Sequence, residues 1–209
     1  MEVDHNQKIK NIARSVLRPA GISQRGKSRF WFDDRGWYAT CIEFQPSGWS
    51  KGTYLNTAIM WFWKPKDYWS HDTNSERQPF VSAENERDFE IAVTSMSQIA
   101  LNRSLENRRC LTNPAEACRM IERGVVMDWA EYHLGIASGL ANKMDKAAFH
   151  LRRVINLTSD FAWVKERNED IKELLVSAQD HQHFVGVIRD RVSVTREMLR
   201  LPKLSEPPF

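Results

Sequence analysis

Nothing in this sequence is built for a bilayer, a disulfide scaffold or a phosphate-binding loop. The longest apolar run, Ala58-Ile59-Met60-Trp61-Phe62-Trp63, is far short of the roughly 20 residues that span a membrane. Three cysteines (Cys41, Cys110, Cys118) are an odd number at unrelated spacings, which suggests free thiols in a reducing compartment. The glycosylation sequons at Asn102 and Asn156 then carry no meaning. The opening residues MEVDHNQKIKN contain no apolar h-region, so no secretory signal is expected and the chain reads as cytoplasmic. Its nine glycines form no phosphate-cradling motif.

Charge of one sign is also scarce. The net charge is +3. Residues 1–80 carry twelve Lys/Arg against eight Asp/Glu, and the remainder eighteen against nineteen. That small excess lacks the dense basic stripe of a nucleic-acid binder. Metal and nucleophile patterns are missing too. His181 and His183 are two apart, whereas a zinc-binding helix needs histidines at i and i+4. Cys41 stands beside Glu43 with no histidine near, and Cys110 and Cys118 have no second pair. No cofactor is implied.

What is present is a concentration of tryptophan. Six of the eight lie between Phe30 and Trp69, in a segment that reads as a β-meander. Before it, Asp4 caps a helix whose Ile9, Ile12, Ala13, Val16 and Leu17 form a stripe at helical spacing, ended by Pro19 and Gly21. Arg29–Asp33 and Trp37–Gln45 read as paired strands about Asp34-Arg35-Gly36. After a Pro46–Gly52 turn, Thr53–Trp63 is apolar on both faces, as expected for a strand covered on both sides. From Ser82 onward the chain reads as helices. The first carries Phe89, Val93, Met96 and Ala100 on one face. The starts of others are signalled at Asn113-Pro114-Ala115-Glu116, Asp128-Trp129-Ala130-Glu131, Asp145 and Ser159. Three prolines in Pro202–Phe209 suggest a disordered tail.

Two resemblances follow from these motifs. A helix ends in Leu17-Arg18-Pro19-Ala20-Gly21-Ile22 and is followed by a basic loop, Gln24-Arg25-Gly26-Lys27. Next come an aromatic strand, Arg29-Phe30-Trp31-Phe32, then Phe44-Gln45-Pro46-Ser47 and Tyr54-Leu55-Asn56-Thr57-Ala58-Ile59. Over residues 5–65 this pattern resembles the uncharacterised bacterial DUF4304 family, although Ile22 replaces an aromatic usual there. The resemblance implies an α+β module and no known activity. Residues 130–157 are similar to one tetratricopeptide hairpin, with Gly135 and Ala147 at small positions and Leu151 and Val154 at large ones. The repeat's aromatic is replaced by Ser138, and no second copy follows at a 34-residue shift. A stand-alone hairpin obeys the same packing rules.

The expected fold is therefore α+β: an N-terminal helix and an antiparallel aromatic meander of three or more strands, then about six helices. The expected divisions are 1–81, 82–201 and the tail 202–209. Trp49, on the tip Ser47-Gly48-Trp49-Ser50-Lys51-Gly52, is the aromatic most suited to a partner; Trp31, Trp37, Trp61, Trp63 and Trp69 suit a core. Lys51, Arg25 and Lys27 are its candidate basic companions. Gln45 and Asn56 come near one another at the strand ends, to hold a ligand or to tie down the turn. His133 and His150, on the two arms of the 130–157 hairpin, are surface or packing histidines in the plainer reading. Residues 165–172 read as a solvated charged face. The leading functional expectation is a bacterial, non-catalytic module that binds another protein, immunity-like or adaptor-like. The alternative is a small-molecule or nucleotide-binding protein, enzymatic or not, with a tryptophan-lined pocket.

Overall fold

The Asp4 carboxylate accepts the Asn6 amide and opens α1 (His5–Leu17). Ile9, Ala13 and Leu17, four residues apart, make its buried stripe. The chain is described here from a computed structural model covering residues 4–73, 75–123, 128–155 and 161–209. It divides into two units, Met1–Met60 with Trp69–Cys110 and Trp61–Tyr68 with Leu111–Phe209.

In the first unit, α1 and a short 3-10 turn (Arg18–Ala20) lead into the sheet. Its strands are β1 (Ser23–Gln24), β2 (Phe30–Asp34), β3 (Tyr38–Pro46), β4 (Gly52–Trp61), β5 (Glu76–Arg77) and β6 (Val81–Ser82). They are ordered β1-β2-β3-β4-β5, with β6 also on β4. Trp31 stands opposite Ile42 and Phe32 opposite Cys41, so alternate residues face opposite ways. Trp31, Ile42, Phe44 and Leu55 join Ile9, Ala13 and Leu17 of α1 and Phe89, Val93, Met96 and Ala100 of α2 (Glu86–Cys110) in one core. On the other face Trp69 packs on Phe30 and Phe32, with ring centroids 5.3 and 4.5 Å apart. Phe80 lies 5.1 Å from Tyr54, and the Arg77 guanidinium sits 3.7 Å over the Tyr54 ring. The cover expected on both faces is thus supplied by two helices and by the segment that returns after Trp69.

The last turn of α2 is polar where it meets the sheet. Asn107 donates from its amide to Thr40 Oγ1 at 2.9 Å, and its carbonyl accepts from Tyr38 Oη at 3.1 Å. Arg108 gives Nε and Nη2 to the two oxygens of Asp33, at 2.7 and 2.9 Å, and Nη2 also to the Ala20 carbonyl.

Gly52 opens β4 with φ +155°, and a Cβ there would stand 2.2 Å from the Val81 carbonyl oxygen and 2.5 Å from the Phe80 ring. The β4–β6 pairing therefore requires glycine. Gly52→Ala is expected to cost about 2 kcal/mol, read as a lower urea midpoint; an unchanged midpoint would show that β6 is dispensable.

The second unit holds α3 (Pro114–Arg123), α4 (Asp128–Leu140), α5 (Met144–Ile155), α6 (Ala162–Ser177) and α7 (His181–Met198). Asn113 caps α3 through the amides of Ala115 and Glu116, as its motif predicts. The cap expected at Ser159 lies outside the described residues. In the α4–α5 hairpin a Cβ on Gly135 would approach Leu151 Cγ to 2.8 Å, the close helix contact its sequence calls for. Ser138, in place of an aromatic, lies 3.4 Å from Cys118 Sγ of α3. Residues 202–209, expected to be disordered, carry no helix or strand. Two arginines of α7 hold them: Arg196 bonds the Pro202 carbonyl and Arg189 the Phe209 carbonyl.

The division between units differs from the one expected at 81/82. Helix α2 belongs with the sheet because its apolar stripe completes the sheet's core. Trp61–Tyr68 belong with the helices. Trp63 donates Nε1–H to His133 Nδ1 at 2.9 Å, and Thr195 Oγ1 donates to the Phe62 carbonyl at 2.6 Å. The Lys64 ammonium stands 3.4 Å from the centre of the Trp129 ring.

Candidate functional site

The turn between β3 and β4 gathers the residues singled out in the sequence. Ser47 Oγ accepts the backbone N–H groups of Trp49 and Ser50, at 3.1 and 3.3 Å. A serine used this way replaces a missing backbone partner and fixes the turn. At its base Thr53 Oγ1 donates to the Gln45 carbonyl at 3.2 Å, and the Ala83 amide donates to the Lys51 carbonyl at 2.9 Å. On this pinned turn the Trp49 side chain is 97% exposed, while Trp31, Trp37, Trp61 and Trp63 are buried and Trp69 is half-buried.

Arg25 and Lys27 belong to the same end of the sheet. Their turn closes with the Arg25 amide on the Phe30 carbonyl and the Ser28 amide on the Arg25 carbonyl. It delivers the chain to Phe30, which pairs with Glu43; the Trp49 turn begins three residues after Glu43, about 10 Å along the strand. Arg25, Lys27, Lys51 and Trp49 are all exposed. Arg29 sits deeper, where burial pulls its guanidinium below the ordinary arginine value against the attraction of Glu43 and Asp4.

Gln45 and Asn56 meet, as their positions suggest. Asn56 is buried and donates its amide to Gln45 Oε1 at 2.9 Å, with Glu43 Oε2 at 3.5 Å. The pair cross-links β3 to β4.

Elsewhere the histidines have their own partners rather than each other: His133 accepts from Trp63, and His150 Nδ1 pairs with Glu131, which also meets Arg153. Among the described residues no group of three or more His, Cys, Asp or Glu is placed to hold a metal ion. Residues 165–172 are only partly the solvated face expected. Arg167 is 3% exposed, with its guanidinium over Trp129 and Trp163 and Nη2 on the Val154 carbonyl. Asp170 accepts from Tyr132 Oη at 2.7 Å and pairs with Arg191. Burial, and then the Asp170 charge, hold the Tyr132 phenol well above its ordinary range. Sequence reasoning also missed a cavity beside the end of α1 that is lined by Arg14, Arg18 and Trp31. The i, i+4 spacing of the two arginines was its only sequence signal.

No protein-family model matches the chain, and no curated protein or solved structure shows significant similarity to it.

Proposed function

We propose that this chain is a non-catalytic, immunity-like or adaptor-like binding module that seats Trp49 in an apolar pocket of a partner protein. The basic side chains of Arg25, Lys27 and Lys51 face that pocket's acidic rim. One observation carries the reading: an almost fully exposed tryptophan on a turn held rigid by Ser47. Leaving an indole in water forgoes the burial that such side chains normally gain. Tryptophan is also the residue most enriched among those that dominate binding energy, and a fixed turn lowers the entropy lost on docking. The bond between Gln45 and Asn56 supports a scaffold role for these amides in the same hairpin. The likeness to DUF4304 fits an α+β module of this kind and adds no activity.

Trp49→Ala separates binding from folding. Its unfolding midpoint is expected to stay within about 0.5 kcal/mol of the parent, as for an exposed side chain. Affinity for the partner captured by the parent at near-equal stoichiometry is expected to fall by about 30-fold or more. Lys51→Glu is expected to weaken capture further at low salt than at high salt. Undiminished capture by Trp49→Ala, or no stoichiometric partner for the parent chain, counts against the proposal.

A further inference from the structure

Between the end of α1 and the edge strand β1 lies a cavity of about 360 Å³, lined by Arg14, Arg18, Ile22, Ser23, Gln24 and Trp31 among others. Its volume falls within the range of small-molecule sites. Among the described residues, those lining it include two guanidiniums and no carboxylate. Arg14 is oriented from below: its Nη2 donates to Gln24 Oε1 at 3.0 Å, and Gln24 Nε2 is fixed on the Ser28 carbonyl at 2.7 Å. The Arg18 guanidinium has no hydrogen bond or ion pair with any described residue. The contrast with Arg108 is direct. That guanidinium reaches the same turn through the Ala20 carbonyl, but it already holds the Asp33 carboxylate.

The third observation is Trp31. It is 1% exposed, and its indole Nε1 has no hydrogen-bond partner among the described residues. A buried donor left without an acceptor is destabilising and is rare in folded proteins. Arginines near a helix C-terminus are favourable for the helix dipole. That accounts for their charge but for neither the cavity nor the unbonded indole. A ligand oxygen accounts for all three.

We infer that this cavity binds a small organic anion. Its carboxylate or phosphate is taken by the guanidiniums of Arg14 and Arg18, which suit planar oxyanions. An oxygen of the ligand serves the Trp31 N–H, and the ligand's body lies against Trp31 and Ile22. The site is independent of the Trp49 hairpin, and the inference does not rest on the protein-binding proposal.

The test uses the full chain labelled with 15N. The Trp31 indole N–H resonance is identified by its loss in Trp31→Phe, then followed during titration with benzoate, phenyl phosphate and the neutral benzamide. Saturable movement with either anion and none with benzamide is expected, and which anion binds tells the carboxylate source from the phosphate source. Arg18→Ala, an exposed substitution, is expected to weaken that binding by about tenfold or more. If Trp31→Phe does not fold, the amides of Ile22 and Ser23 report the same titration. A resonance unmoved by both anions, equal movement with benzamide, or binding unaffected by Arg18→Ala overturns the inference.

Discussion

Arg108→Met is expected to lower the stability of the sheet unit by about 4 kcal/mol. Asp33 is 2% exposed, and both its oxygens bond to Arg108. Removing the guanidinium leaves the buried Asp33 carboxylate, opposite Thr40 in the β2–β3 register, without its counter-charge. The hydrogen bonds that it gives to Asp33 hold the Arg108 guanidinium above the ordinary arginine value, against its partial burial. The loss comes chiefly from the uncompensated charge, because breaking a buried pair costs far more than replacing both members. The double variant Asp33→Leu with Arg108→Met is therefore expected to recover most of the stability. Chemical denaturation of the three proteins decides it. If the double variant is as unstable as the single one, lost packing of the arginine stem is the cause, and the charge argument fails.

Alkaline pH is expected to destabilise the same unit through Tyr38. Burial pushes its phenol up to about 12, opposed in part by the nearby Arg35 charge and reinforced by Asp33. Unfolded, it titrates near 10.0. Because the folded value is the higher one, Tyr38 contributes its full stabilisation below pH 10 and loses it as pH rises through 12. The rise from 10.0 to about 12 puts at most about 3 kcal/mol at stake, less where solvent screens the phenolate. The Tyr38 hydroxyl donates to the Asn107 carbonyl; ionised, it has no proton to give. Denaturation midpoints measured between pH 9 and pH 12 are expected to fall more steeply for the parent than for Tyr38→Phe. A tyrosinate absorbance titration should show one more residue ionising late in the parent than in Tyr38→Phe, since Tyr132 is held up in both. Superimposable pH profiles for the two proteins would refute this account.

How much of this was legible beforehand depends on how far each residue's partners lie along the chain. Asp4 and Asn113 cap their helices within three residues, and both signals hold. The meander is legible because β2, β3 and β4 follow one another through short turns, and Trp49 stands out because it alone sits on a tip. Strands β5 and β6 are two residues each; Glu76 and Arg77 carry no apolar alternation, so nothing local marks them. Arg167 shows why a charge run misleads. Val164, Arg167, Ile171 and Leu174 share one buried stripe of α6, and helical phase, not residue type, decides which charge goes inside. The cavity beside α1 needs a helix end, an edge strand and Trp31 brought together, and no pattern along the chain records that meeting.

The chain passes from the first unit to the second after Met60, returns at Trp69 and leaves again after Cys110. No single cut therefore separates the two units. A fragment ending at Cys110 keeps Trp61, Phe62 and Trp63 but lacks His133 and Thr195, the residues that engage them. During synthesis these three aromatics leave the ribosome long before α7 exists, since Phe62 and Thr195 are 133 positions apart. For that interval a strongly apolar strand end stands without cover, the condition that favours aggregation and chaperone capture. Expression of the sheet half alone should consequently give insoluble material, whereas the full chain covers Trp61, Phe62 and Trp63 once its last long helix is made.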